Sequence, residues 1–163
     1  MEKQITVAVL TNETGAHLSA YFAALKDIKT VKEVVLSDPG QTQVKAARSQ
    51  LGSKLTAVYD QPETLFQQEK PDLVLVTMQA RQAPQAIHLA LDNGCHVFSE
   101  KPACLSVQQF EPLVQKAESK HLHLSLALAN RTNPEIQFAR SLIQGGSLGK
   151  IYGVEMTLLA DQT

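Results

Sequence analysis

Ala90-Leu-Asp-Asn-Gly-Cys-His-Val-Phe-Ser-Glu-Lys-Pro102 decides the fold of this chain. A helix with apolar periodicity over residues 84–93 stops at Gly94. A short strand at His96-Val97-Phe98 follows, and Glu100-Lys101-Pro102 stands where that strand ends. In an open parallel sheet, ligands bind outside the carboxyl ends of the strands, so Glu100 and Lys101 fall where chemistry is expected. A lysine there offers a mobile ammonium whose proton affinity responds to burial and neighbours. Pro102 restricts the backbone beside it and admits a cis bond. Taken alone, the tripeptide also fits a surface acid–base pair followed by a proline that starts a loop.

Outward from this stretch, strand-like and helix-like segments alternate. Ile5-Thr-Val-Ala-Val-Leu10 is a nearly continuous apolar run of the kind a buried parallel strand needs. Residues 16–28 carry Leu18, Phe22 and Leu25 at helical spacing. Val31-Lys-Glu-Val-Val-Leu-Ser37 reads as the second strand, ending at Asp38 and a Pro39-Gly40 turn. A helix over residues 41–51 precedes a strand over 56–59, and Gln61-Pro62-Glu63 opens a short helix. Leu73-Val-Leu-Val-Thr77 is the next buried strand. Ser106-Val-Gln-Gln109 reads as a capping box for a helix reaching Ser119. Residues 122–129 form a sixth strand, and a helix over 134–144 stops at Gly145-Gly146. This alternation predicts right-handed βαβ units and an α/β, Rossmann-type, doubly wound parallel sheet over residues 1–150. Residues 151–159 read as one more strand, with no helix left to return it to that sheet.

Composition narrows the function. With 44% hydrophobic residues and a net charge of −1, the chain can bury a full core and has no basic field for nucleic acid or an anionic membrane. No apolar segment approaches the length of a membrane span, and the start lacks the apolar core of a signal peptide. Cys95 and Cys104 are too few for a disulfide framework or zinc site, so a reducing cytoplasm fits best. His121 and His123 alternate on a predicted strand and could share a metal, but no further ligand cluster is evident. His17, His88 and His96 read as helix-face and strand-start residues.

The first strand-to-helix turn is where such a fold holds a pyrophosphate, using Gly-x-Gly-x-x-Gly/Ala for a tight turn and close backbone approach. Here Thr11, Glu13 and Ala16 take those places in Thr11-Asn12-Glu13-Thr-Gly15-Ala16, with Gly15 one residue out of register. Glu13 puts a carboxylate near two phosphate charges. At about 4–5 Å and an effective dielectric near 20, each pair costs roughly 3–4 kcal/mol before screening. The plain alternative is a turn capped by Thr11 or Thr14 that binds no nucleotide. Asp38, about twenty residues beyond Ala16, stands where an acid accepts from a ribose 2′-OH, which favours NAD over NADP. It also suits ordinary turn chemistry in Ser-Asp-Pro-Gly.

Gly94-Cys-His-Val-x-x-Glu-Lys-Pro102 resembles the Gly-Lys-His-Val-x-x-Glu-Lys-Pro stretch of the glucose–fructose oxidoreductase/inositol dehydrogenase/MocA (Gfo/Idh/MocA) family. Asn130-Arg131-Thr-Asn-Pro134 and Leu142-Ile143-Gln-Gly-Gly146-Ser-Leu148-Gly149-Lys150-Ile151 resemble two later segments of that family, in its order and spacing. The resemblance spans the chain but only the family's amino-terminal domain. It implies an NAD(P)-binding Rossmann domain of an oxidoreductase that moves a hydride to or from a sugar- or polyol-like small molecule. It implies that Lys101 assists proton transfer beside the hydride, that Glu100 stands at the nicotinamide end, and that Thr77 and Met78 line the cofactor trough. The family's Ala-Thr-Pro-Asn and following histidine are replaced by Thr77-Met78-Gln79-Ala80 and Ala83. Its partner acid/base histidine comes from a second domain, whose first strand would be residues 151–159. The chain is thus expected to be incompetent alone, whether a piece of a longer oxidoreductase or a natural single-domain relative. A non-catalytic interaction or nucleotide-sensing module is the alternative. Tyr152, Val154, Met156 and Leu158 share one side of the last strand, which predicts a homodimer or larger assembly through residues 151–159.

Overall fold

In the computed structural model of the protein, residues 3–157 are described. The chain divides into two compact units, Met1–Ala127 and Leu128–Thr163. In the first, six strands and five helices alternate: β1 Ile5–Thr11, α1 Leu18–Asp27, β2 Val31–Ser37, α2 Val44–Leu51, β3 Leu55–Tyr59, α3 Pro62–Gln68, β4 Leu73–Thr77, α4 Ala83–Asp92, β5 His96–Ser99, α5 Val107–Ser119 and β6 Leu124–Leu126. The strands form one sheet in the order β3-β2-β1-β4-β5-β6, and every neighbouring pair is parallel. The order reverses between β1 and β4, and this topological switch point is where the fold opens a crevice.

The apolar runs explain the layers. Side chains alternate across a strand, so a strand buried on both faces must be apolar almost throughout. Val7 and Val9 pack with Phe22, Leu25, Val34 and Leu36 on one face. Ala8 and Leu10 pack with Val74, Val76, Ile87 and Leu91 on the other. Each fully buried leucine or phenylalanine contributes about 1.5–3 kcal/mol of transfer free energy. The Ser106 hydroxyl caps α5 by accepting from the Gln109 N–H at 3.3 Å. The Gln109 side chain reaches back to the Leu105 N–H at 3.1 Å, one residue short of a strict capping box.

Two strand expectations change. β6 is shorter than residues 122–129, because the chain leaving α5 turns tightly. The His121 N–H bonds the Glu118 carbonyl, the Leu122 N–H bonds the Ala117 carbonyl, and His121 takes a left-handed φ of 55°. His121 and His123 therefore do not share a strand face. His123 instead stacks on His96 with ring centroids 5.1 Å apart, and its N–H donates to His96 Nδ1 at 3.0 Å. Residues 151–157 form no strand, and residues 158 and 159 lie outside the described ones. Side-chain alternation makes a segment suited to a strand, but only a paired backbone makes it one.

In the second unit, helix α6, Pro134–Gln144, is capped by the Asn133 side chain, which accepts from the Ile136 N–H at 3.0 Å. Its end lies at the expected glycines. Gly146 takes φ 72°, and the Ser147 N–H bonds back to the Leu142 carbonyl.

Candidate functional site

The loops after β1, β2, β4 and β5 gather at the carboxyl edge of the sheet. Thr11 closes β1 fully buried, and the Thr77 hydroxyl at the end of β4 donates to Thr11 Oγ1 at 2.8 Å. The switch point is thus pinned by a hydroxyl pair where the family pattern has a bare glycine. Gly15 lies directly against this pair. A Cβ on it would stand 2.1 Å from Thr11 Oγ1 and 3.1 Å from the Thr77 carbonyl oxygen. Gly15, rather than Ala16, therefore makes the close approach, and Ala16 is exposed.

Asn12, nearly buried, organises the turn instead of either threonine. Its Oδ1 accepts from the Thr14 N–H at 2.9 Å and the Thr14 hydroxyl at 2.6 Å, an Asx-type turn. Its amide donates to Gln82 Oε1 at 2.8 Å and so reaches across to the start of α4. Glu13 is exposed at the tip.

Asp38 follows β2 and is fully buried. One carboxylate oxygen accepts from the Gln43 N–H at 2.7 Å, just ahead of α2. The other, together with the Ser37 hydroxyl, has no hydrogen-bond partner among the described residues. A buried carboxylate oxygen without a donor is costly, and a ligand hydroxyl would reach this one only with a local shift of the turn that covers it. Pro39, the next residue, helps line a groove of about 370 Å³ with Asn12, Pro62, Met78, Gln82 and Ala86, a lining that does not include Asp38 itself. Thr77 is buried at the strand end, and Met78 forms part of the groove wall.

Glu100 ends β5, only 5% exposed. Its Oε1 accepts from the Tyr21 hydroxyl at 2.5 Å and meets His17 Nδ1 at 2.7 Å, while Oε2 accepts from the Lys101 N–H at 2.8 Å. Burial acts to raise the Glu100 pKa. Hydrogen bonds from Tyr21, His17 and the Lys101 amide outweigh it and hold the carboxyl below its ordinary range. Burial first, then the bond to Glu100 and its charge, push the Tyr21 phenol well above its ordinary value. An ionised carboxylate only accepts, so His17 Nδ1 carries the hydrogen and Nε2 is left free of that contact. Lys101 is exposed, and the Lys101–Pro102 bond is cis.

The structure thus brings Thr11, Asn12, Glu13, Gly15, Asp38, Thr77, Met78, Glu100 and Lys101 to one edge of the sheet. Sequence reasoning missed His17, Tyr21 and Gln82. His17 and Tyr21 stand four residues apart at the start of α1, and this spacing on one helix face is the signal that could have paired them. Asp38, the acid expected at a ribose, keeps one oxygen without a donor but is buried and does not line the groove. In the turn after β1, Gly15 packs against Thr11 and Thr77, and Thr11 and Glu13 fill places where the dinucleotide pattern has no side chain.

A parallel sheet with this order and this crevice is the dinucleotide-binding Rossmann class. Residues 13–128 match the Gfo/Idh/MocA oxidoreductase family, NAD-binding Rossmann fold, and the chain belongs to that family. It is 27% identical over 134 residues to D-glucoside 3-dehydrogenase of Escherichia coli, covering 82% of this chain and 37% of that protein. It is 24% identical over 153 residues to scyllo-inositol 2-dehydrogenase (NAD(+)) of Bacillus subtilis, covering 92% and 43%. The fold matches scyllo-inositol dehydrogenase from Lactobacillus casei, solved with NAD(H) and scyllo-inositol bound. That match has a TM-score of 0.78 and 23% identity, over 90% of this chain and 43% of that one. The chain therefore spans about two fifths of the length of these relatives.

Proposed function

We propose that this chain is the NAD-binding part of a dehydrogenase acting on a sugar- or polyol-like hydroxyl or carbonyl, and that it prefers NAD to NADP. The observation that carries this reading is Asp38, a buried carboxylate at the end of β2, next in sequence to groove-lining Pro39, with one oxygen lacking a donor. That oxygen is suited to accept from a ribose hydroxyl, and its charge disfavours a 2′-phosphate. The Asn12–Gly15 turn would lie against the diphosphate with Thr77 and Met78 beside it, although its Thr14 and Gly15 N–H groups are already bonded to Asn12. Glu100 and Lys101 would stand at the nicotinamide end. The bound nicotinamide supplies the hydride chemistry. Lys101 would orient the reacting oxygen and carry a proton to or from it.

The chain spans about two fifths of the length of its relatives, and the family resemblance puts the acid/base partner of Lys101 outside that span, so these residues by themselves are expected to turn over no substrate. A second reading, a non-catalytic nucleotide-sensing or interaction module, is favoured by Thr11 and Glu13, which crowd the diphosphate turn. Calorimetry with NAD and NADP on the chain and on Asp38→Asn tests the proposal. Asparagine keeps an oxygen for the Gln43 N–H but loses the charge. The wild type should bind NAD more tightly, and the variant should lose roughly tenfold of that preference, as for one hydrogen bond to a charged group. Equal affinities in the wild type, or no change in the variant, would contradict it.

A further inference from the structure

Glu100 follows a strand end that the chemistry should use, yet its carboxylate is turned inward and filled. Oε1 serves Tyr21 and His17, and Oε2 serves the Lys101 amide. Its own N–H donates to the Val76 carbonyl at 2.8 Å, which fixes the residue to β4. We propose that Glu100 is a positioning residue that ties the β1–α1 turn to Lys101, so that a ligand seated at the turn is felt at Lys101. The proposal rests on the dinucleotide reading above.

Three observations support the tie. First, the donors to Oε1 lie 79 and 83 residues away in sequence, on α1 and at its N-cap, so the contact joins the element beside the diphosphate turn to the end of β5. Second, His17 holds φ 57° and ψ 16°, a left-handed conformation unfavourable for a residue with a side chain. No side-chain cap bond explains it, and the bond to Glu100 does. Third, Glu100 takes the amide of Lys101 and not its ammonium, so it sets the lysine's place while leaving the amine to act elsewhere. A carboxylate with both oxygens occupied is poorly placed to exchange protons with substrate. It is well placed to transmit a shift of the turn.

The test is the amide spectrum of the isotope-labelled full chain, with Tyr21→Phe, His17→Gln and Glu100→Gln. Without ligand, Tyr21→Phe and His17→Gln should each displace the Lys101 amide resonance. An unmoved Lys101 amide in both would overturn the tie. With NADH, the wild type should respond at Asp38 and at Lys101. Glu100→Gln should keep the response near Asp38 and lose it at Lys101. A Lys101 response equal to the wild type's in Glu100→Gln would also overturn it. Should Glu100→Gln not fold, the same comparison with Tyr21→Phe decides. A wild-type chain with no NADH response anywhere contradicts the dinucleotide reading, and the ligand-free displacements then decide the tie separately.

Discussion

Gly15→Ala should destabilise the chain far more than a glycine-to-alanine change usually does. The added Cβ would stand 2.1 Å from Thr11 Oγ1 and 2.8 Å from Leu18 Cδ1. Thr11 cannot yield cheaply, because its β-branched side chain is fully buried and paired with the Thr77 hydroxyl at 2.8 Å. Overpacking costs about 1–3 kcal/mol, and a broken buried hydroxyl pair adds roughly 1–3 kcal/mol. Reduced freedom of the unfolded chain returns about 0.4–1 kcal/mol. The net loss is therefore about 1–5.5 kcal/mol, a sizeable part of a typical stability of about 5–15 kcal/mol. Urea unfolding with unchanged slope measures it. Thr11→Ala removes the obstructing oxygen, so the double variant Thr11→Ala/Gly15→Ala should be more stable than the two single losses sum to. Ala16→Gly, at an exposed position, is the control and should cost under about 1 kcal/mol. Gly15→Ala within about 0.5 kcal/mol of wild type, or strictly additive losses, would refute the reasoning.

Other outcomes follow from the same contacts. Glu100 and Asp72 are held below the ordinary carboxylate range. Their contribution is therefore full above the unfolded value of about 4 and lost as pH falls through the folded one. The urea midpoint should drop in that acid window, less steeply in Glu100→Gln, and an equal slope in wild type and variant would contradict this. Glu13→Gly should tighten NAD binding by up to about tenfold, since the exposed carboxylate is partly screened. Micromolar binding by the unmodified chain, unaffected by the change, would mean the turn works otherwise. The exposed apolar side chains of Tyr152, Val154 and Met156 are expected to drive self-association. Sedimentation should show assembly that disappears when residues 151–163 are deleted, and a strict monomer at high concentration would exclude this role.

The sheet was legible because a strand covered on both faces must be apolar almost throughout, as 5–10 and 73–77 are, and 31–37 is from Val34 to Leu36. Ser106 and the glycines after α6 were legible for the same local reason: caps are written within a few residues. Long-range choices were not. Nothing near Gly15 says that it, rather than Ala16, rests on Thr11, because that contact depends on how β1 and β4 align. Nothing near Glu100 says that it faces Tyr21 and His17 across the sheet edge instead of solvent. The alternation of residues 151–157 was visible, but a strand is defined by a neighbour's backbone, which sequence periodicity cannot supply.

The central claim is that the crevice at the carboxyl edge of the sheet holds NAD with its ribose on Asp38 and its nicotinamide toward Lys101. A crystal structure of the chain grown with NADH tests it directly. The account predicts ribose hydroxyls within hydrogen-bond distance of the Asp38 carboxylate and the nicotinamide ring beside Lys101. A cofactor bound elsewhere on the chain, or one in the crevice that leaves Asp38 without a ligand contact, would contradict it.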